Sequence, residues 1–211
     1  MPGTIPLWIK IAYSLYLLVL IPNYLRVYGA TNFLYFCDVA AFLTFFALWS
    51  GNALLASIAT VGIVLPQILW VFDFAVHFFG LKLTGMSDYM WNPRIPVFTR
   101  GLSLFHGWLP FFLLYLVKQL GYDRRAFWAW VIIATLLIFI CYFWMPVPGT
   151  QPKGSLQPVN INYVYGFSDD ARQHWMPGWT WLTTLLLGLP ILIWWPSHLL
   201  LCRFFCAPAG Q

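Results

Sequence analysis

The sequence predicts an all-α protein, a polytopic transmembrane bundle of about six spans, and three observations carry that prediction. Of its 211 residues, 61% are hydrophobic and 8% charged, and glutamate is absent. A water-soluble domain carries about 25% charged residues, so a hydrated surface cannot be assembled from this chain. The apolar residues also gather into runs of roughly 20, the length at which a helix crosses a hydrocarbon core. Finally, the runs are separated by short Gly-, Asn- and Pro-bearing turns or by polar loops. The length suits one bundle over residues 1–211 with no separate soluble domain.

Each span has a recognisable stop. The first is expected over about residues 5–24, ending near Ile21-Pro22-Asn23, and is read as a retained helix because no basic leader or small-residue cleavage site precedes it. The second, about 33–49, is stopped by Ser50-Gly51-Asn52. So short a turn forces the third, about 53–79, to return antiparallel. A polar loop over Gly80–Phe98 leads to the fourth span, about 99–120, and the Asp123-Arg124-Arg125 turn to the fifth, about 126–145. The longest polar segment, Pro146–Met176, precedes a sixth span over about 179–202, interrupted by Pro190 and Pro196.

Composition also limits the partners. The net charge of +5 comes from a shortage of acids, and the basic residues are scattered over loop ends, so nucleic acid is not a predicted partner. Membrane lipids are, as solvent and through their anionic headgroups. Cys37, Cys141, Cys202 and Cys206 form no C-x-x-C spacing, so the sequence predicts no metal site and no disulfide framework. Cys202 and Cys206 sit beside Arg203 and two phenylalanines at the end of the last span, a setting in which S-acylation is conceivable.

Name the side of the N-terminus A and the opposite side B. Lysines and arginines divide almost evenly between the two, so orientation is not fixed by charge. Depth is better defined. Cys37 and Asp38 open the second span at side B, Asp73 and His77 close the third there, and His106 lies about 10 Å into the fourth. Ionisable groups at that depth cost about 2.5–3.5 kcal/mol each at a helix centre, so five of them in one leaflet predict a polar cavity. A cysteine and a histidine at matched depth on different helices permit a nucleophile–base pair, with Asp73 or Asp38 available to orient the imidazole. Pro66 frees the carbonyl one turn before it, near Gly62, and so opens space in the third span.

Competing expectations attach to the same residues. A buried cysteine is most often a packing hydrophobe, and Asp73 can be satisfied by Arg100 or His77 alone. His77 and His106 on adjacent spans are also an arrangement by which bundles hold haem. A third possibility is a non-catalytic membrane subunit or binding protein with a one-sided polar cavity. The tryptophan and tyrosine excess is assigned to interfacial belts and bundle packing.

A family resemblance sharpens one of these. NFLYFCD at Asn32–Asp38, Gly62 with Gln67-x5-Asp73, FHGWLP at Phe105–Pro110, NINYVYG at Asn160–Gly166 and Pro177-Gly178-Trp179 occur in this order. Together they resemble motifs of the bacterial YwaF-like integral membrane proteins. That family is related to the eukaryotic transmembrane-protein-164 type of ether-phospholipid acyltransferase and more distantly to the androgen-induced lipid hydrolases. The third span here reads PQILWVFD where the family commonly has Thr-Pro before the aspartate. The resemblance implies a bacterial inner membrane location and thiol-dependent acyltransferase or hydrolase chemistry on acyl lipids without a cofactor. Cys37 and His106 would be its catalytic pair. Asp38, His77, Arg100, Asn162 and Tyr163 are the expected substrate-binding residues.

Overall fold

The computed structural model describes residues 4–152, 154–168 and 171–205. Lys153 and Cys206 lie outside the described residues. Among those described there are helices and no strand. The long elements are α1 (Leu7–Val27), α2 (Phe36–Ser50) and α3 (Ala53–His77), then α4 (Val97–Leu102), α5 (Phe105–Leu120) and α6 (Ala126–Trp144), and last α7 (Gly178–Gly188) and α8 (Trp195–Phe205). Counting α4–α5 and α7–α8 as continuous apolar runs, five helices are long and apolar enough to cross a membrane. The expected second span is the exception. As α2 it has 15 residues, roughly 22 Å at 1.5 Å per residue, and is reached through a 3₁₀ turn at Ala30–Leu34.

The chain alternates between the two ends of the bundle as the turns require. At side A, Trp49 Nε1 donates to Ser14 Oγ (3.0 Å), Asp123 N to Ser57 Oγ (2.9 Å), and Tyr122 N to the Phe205 carbonyl (3.3 Å). At side B, Asn162 joins the long loop to the start of α2. The α2–α3 turn follows from two residues. Gly51 ends α2 in the left-handed region (φ 65°), open to glycine without a Cβ penalty. The Asn52 carboxamide then caps α3, accepting from Leu54 N and Leu55 N.

Helix α3 is the axis of the protein, packed against α2, α5, α6 and α8. Its neighbour α2 buries the small residues Ala40, Ala41, Thr44 and Ala47, a size that lets helix backbones approach closely, and Tyr13 of α1 donates to the Ala41 carbonyl. On α1, the buried residues Tyr13, Leu17, Leu20 and Tyr24 recur at three- and four-residue spacing and face inward. The opposite face exposes Trp8, Leu15 and Leu18, an apolar surface suited to lipid rather than water.

Proline shapes three helices, and α3 shows the cleanest consequence. Pro66 cannot bond the carbonyl four residues back, which belongs to Gly62. That carbonyl is taken instead by Trp194 Nε1 at 3.1 Å. A Cβ at Gly62 would overlap the Trp130 indole, so the position accommodates a ring as well as a bend. Trp194 itself ends a π-helical stretch, Leu189–Trp194, that begins beside Pro190, an insertion of the kind prolines induce.

Two expectations need correction. The fourth span is not one helix. Around Ser103-Leu104 the bonds tighten to the i→i−3 pattern, with Leu104 N on Gly101 O, His106 N on Ser103 O and Gly107 N on Leu104 O. Gly101, Gly107 and Pro110 supply the reason, since all three weaken a helix here. His106 therefore stands in the first turn of α5. The second correction concerns Pro146–Met176, read as a polar loop. It folds inward, burying Ile161, Val164 and Asn160 against Ile138 and Cys141 of α6 and Leu182 of α7.

Candidate functional site

The side-B end of the bundle gathers buried polar side chains from α1, α2, α3, the α4–α5 break and the loop before α4, and their unpartnered atoms mark a polar chamber there. His106 is its best-defined member. Its Nδ1 lies 2.7 Å from the Ser103 carbonyl, which can only accept, so the proton of the neutral ring sits on Nδ1 and Nε2 is left as an acceptor. The ring stacks on Trp70 of α3 at 4.8 Å. The i→i−3 tightening described above brings the Ser103 carbonyl under the imidazole.

Cys37 and Asp38 occupy the first turn of α2. The Asp38 carboxylate is buried, where it suits the positive end of the helix dipole. Its Oδ2 accepts from Asn32 Nδ2 at 3.0 Å, while Oδ1 has no partner among the described residues. Cys37 is half-buried and lies in the electrostatic range of the Tyr16 and Tyr89 hydroxyls. Those two tyrosines reach toward His106 from the other direction. Tyr16 Oη donates to the Leu102 carbonyl at 2.7 Å, and Tyr89 approaches the Ser103 hydroxyl, which Tyr24 Oη also contacts at 2.6 Å. Cys37 and His106 share no direct hydrogen bond; Tyr16 and Tyr89, which interact with Cys37, reach the Leu102 carbonyl and the Ser103 hydroxyl, close to His106 in the chain. Burial holds Tyr89 well above the ordinary tyrosine range and pushes Tyr28 up to about 12, so both hydroxyls stay protonated near neutral pH.

The remaining sequence-predicted residues are placed differently. Asp73 is buried, and both its oxygens are consumed by the loop before α4. Oδ1 accepts from Thr84 N (2.6 Å) and Gly85 N (3.1 Å), and Oδ2 from Ser87 N (2.9 Å) and Ser87 Oγ (2.6 Å). It folds the loop, and the Ser103 carbonyl rather than Asp73 orients His106. His77 stacks on Trp91 at 4.8 Å and lies 3.5 Å from Asp88. Because His106 stacks on Trp70, two turns earlier on α3, His77 stands about 10 Å further along the axis, so the two histidines do not face each other as haem ligands would. Among the described residues no three His, Cys or Asp side chains form a metal-binding group.

Arg100 does border the chamber. Its Nη1 donates to the Met90 carbonyl at 2.8 Å and its buried Nε has no partner. Asn162 is a clamp: its Oδ1 accepts from Phe36 N (3.0 Å), at the first turn of α2, and its Nδ2 donates to Leu34 O (2.9 Å). Tyr163 follows it in the left-handed region (φ 60°) and presents its carbonyl to Trp181 Nε1 at 2.8 Å. Asn162 thus fixes the mouth of α2, whereas Tyr163 ties the loop to α7 and interacts with Tyr89.

What the sequence reading missed is the tyrosine lining. Tyr13, Tyr16 and Tyr24 of α1 and Tyr28 just past its end follow one face of the helix, and all four lie within electrostatic reach of Asp38. Their three-, four- and eight-residue spacing was the available signal, masked by the general aromatic richness. Several buried polar atoms in this region have no hydrogen-bond partner among the described residues: Tyr28 Oη, Asp38 Oδ1, both ends of the Gln67 amide, Trp70 Nε1, Thr99 Oγ1 and Arg100 Nε. Buried polar atoms are rarely left so, and a cluster of them marks where a polar ligand or water belongs.

No protein-family model, no curated protein and no solved structure matches this chain.

Proposed function

We propose that the protein acts on acyl lipids within the membrane, as an acyltransferase or lipid hydrolase, with Cys37 as nucleophile and His106 as its base. One observation carries the reading: the Ser103 carbonyl fixes the His106 proton on Nδ1 and leaves Nε2 open; the Cys37 thiol interacts with Tyr16, whose hydroxyl bonds the neighbouring Leu102 carbonyl. His106 Nε2 takes the thiol proton as Cys37 Sγ attacks the acyl carbonyl. Collapse of the tetrahedral adduct expels the lysolipid alkoxide, which receives that proton, and leaves a thioester on Cys37. Water or the hydroxyl of a second lysolipid then attacks, with His106 again as base, and the thiol is restored. Nucleophile–base bonds are often long before substrate binds, which accommodates the present lack of a direct contact. Arg100 Nε, Tyr28 Oη and Trp70 Nε1 are donors available to the headgroup and ester oxygens. A location in the inner membrane of a bacterium accompanies this proposal.

The test is incubation of purified protein with a clickable phospholipid, comparing wild type with Cys37→Ala and His106→Gln. A hydroxylamine-sensitive acyl adduct is expected on the wild type, absent from Cys37→Ala and formed at least about 100-fold more slowly by His106→Gln. Equal adduct on all three sinks the proposal. The unpartnered polar atoms favour one other reading, a site that binds a lipid headgroup without turning it over. Lipid retained by wild type and lost on Arg100→Met, with no adduct on any variant, would decide for it.

A further inference from the structure

At the opposite end of the bundle a cysteine and a histidine are in direct contact. His198 and Cys202 are four residues apart on α8 and therefore on one face, and Cys202 Sγ lies 3.6 Å from His198 Nε2. The other ring nitrogen, Nδ1, is 2.8 Å from Tyr122 Oη. Tyr122 is itself anchored by its backbone N–H to the Phe205 carbonyl. The imidazole is packed among Tyr122, Phe127 and Trp195, with ring centroids 5.6, 5.3 and 5.5 Å away. A nucleophile, a base and a hydroxyl that fixes the base are thus assembled by two separate elements, α8 and the α5–α6 turn, with Phe127 at the start of α6 packing the imidazole. The chemistry proposed for Cys37 does not use them.

The surroundings indicate what the thiol meets. Cys202 is half-buried at the end of the last helix, next to exposed Arg203, and Arg124 acts electrostatically on His198. Leu201 and Phe205, which flank Cys202 along the helix, line an apolar groove of about 830 Å³ between α3, α5 and α8. The site is therefore cationic on its water side and apolar on its lipid side. That combination fits a long-chain acyl thioester of coenzyme A, which carries phosphates at one end and a hydrocarbon chain at the other.

We propose that Cys202 is a self-acylating site in which His198 serves as base. The proton on Cys202 Sγ passes to His198 Nε2, the thiolate attacks the acyl carbonyl, and the bond to the coenzyme A sulfur breaks. The departing thiolate takes the proton from His198. One thioester is consumed and one formed, with no change of oxidation state. The acyl chain then lies along the apolar groove and ties the end of α8 to the bilayer.

The experiment incubates the detergent-purified full chain with clickable palmitoyl-coenzyme A and maps the adduct by mass spectrometry. The expected result is a hydroxylamine-sensitive acyl group on Cys202 of the wild-type protein, absent from Cys202→Ser. His198→Ala should slow labelling about 100-fold, and added imidazole should restore part of the rate, which a purely packing role for the ring would not allow. Adduct mapped only to other residues, or none on the wild type, overturns the proposal without any variant. Labelling of Cys202 at an unchanged rate in His198→Ala overturns the role of the histidine. A Cys202 label that disappears in Cys37→Ala also overturns the proposal, because the acyl group would then have been passed on from Cys37.

Discussion

Replacing Asp73 separates a loop anchor from a catalytic partner. In the structure its carboxylate accepts three backbone N–H bonds and one hydroxyl, all from Thr84–Ser87, while buried. Asp73→Ala removes every one of them, and each buried donor left unmade costs about 1–3 kcal/mol. The turn can partly rehydrate, so the lower end applies, about 3 kcal/mol for the three amides together. At 1.4 kcal/mol per decade, exchange at the Thr84, Gly85 and Ser87 amides should accelerate roughly 100-fold. Asp73→Asn keeps one acceptor oxygen for Thr84 and Gly85 but turns an NH₂ toward Ser87 N–H, so the loss should be roughly 10-fold and confined to Ser87. Hydrogen–deuterium exchange of the protein in detergent or nanodiscs reads both values. Unchanged protection in Asp73→Ala would refute the anchoring account. Protection retained in Asp73→Asn with a complete loss of the acyl adduct would return Asp73 to the chemistry.

The other predictions rest on backbone and capping. Gly62→Ala pushes a methyl into the Trp130 indole and should destabilise by about 1–3 kcal/mol in a detergent melt; Gly101→Ala, with nothing within 4 Å of its Cβ, should be neutral or stabilising by up to about 1 kcal/mol. Equal effects at the two glycines would contradict the packing argument. Asn162→Ala loses the clamp on Phe36 N and Leu34 O and places alanine at φ 57°, whereas Asn162→Gly loses the same bonds without the backbone strain. The glycine variant should therefore melt above the alanine variant by about 1 kcal/mol, and the reverse order would be inconsistent with a strained turn. The Arg125 side chain, bonded to the Asp123 carboxylate, holds that carboxyl below the usual range. Its folded-state value being depressed, the stabilisation is complete above about pH 4 and is lost as pH falls through the lowered value. A small acid-side loss of helix protection at the start of α6, abolished by Asp123→Asn, is the expected signature.

The sequence by itself determined the class of this protein, because composition and run length are properties that no tertiary contact can reverse. With 8% charged residues the chain has no means of presenting a hydrated surface, and the turns at Gly51-Asn52 and Asp123–Arg125 fix the alternation of helices locally. The Pro66–Gly62 relation was also legible, since a missing N–H always frees the carbonyl four residues back; that Trp194 would fill it was not. Tertiary structure decided which polar residues meet. Depth counting put Cys37, Asp38, Asp73, His77 and His106 in one leaflet, but depth is one coordinate, and rotation about each helix axis is set by packing partners distant in sequence. That rotation, together with the break at Ser103, gave Asp73 to the loop and His77 to Trp91, and brought Tyr16, Tyr24 and Trp70 to the elements around His106. On α8, periodicity alone aligned His198 with Cys202, and only the fold supplied Tyr122, 76 residues away in sequence, to hold the imidazole.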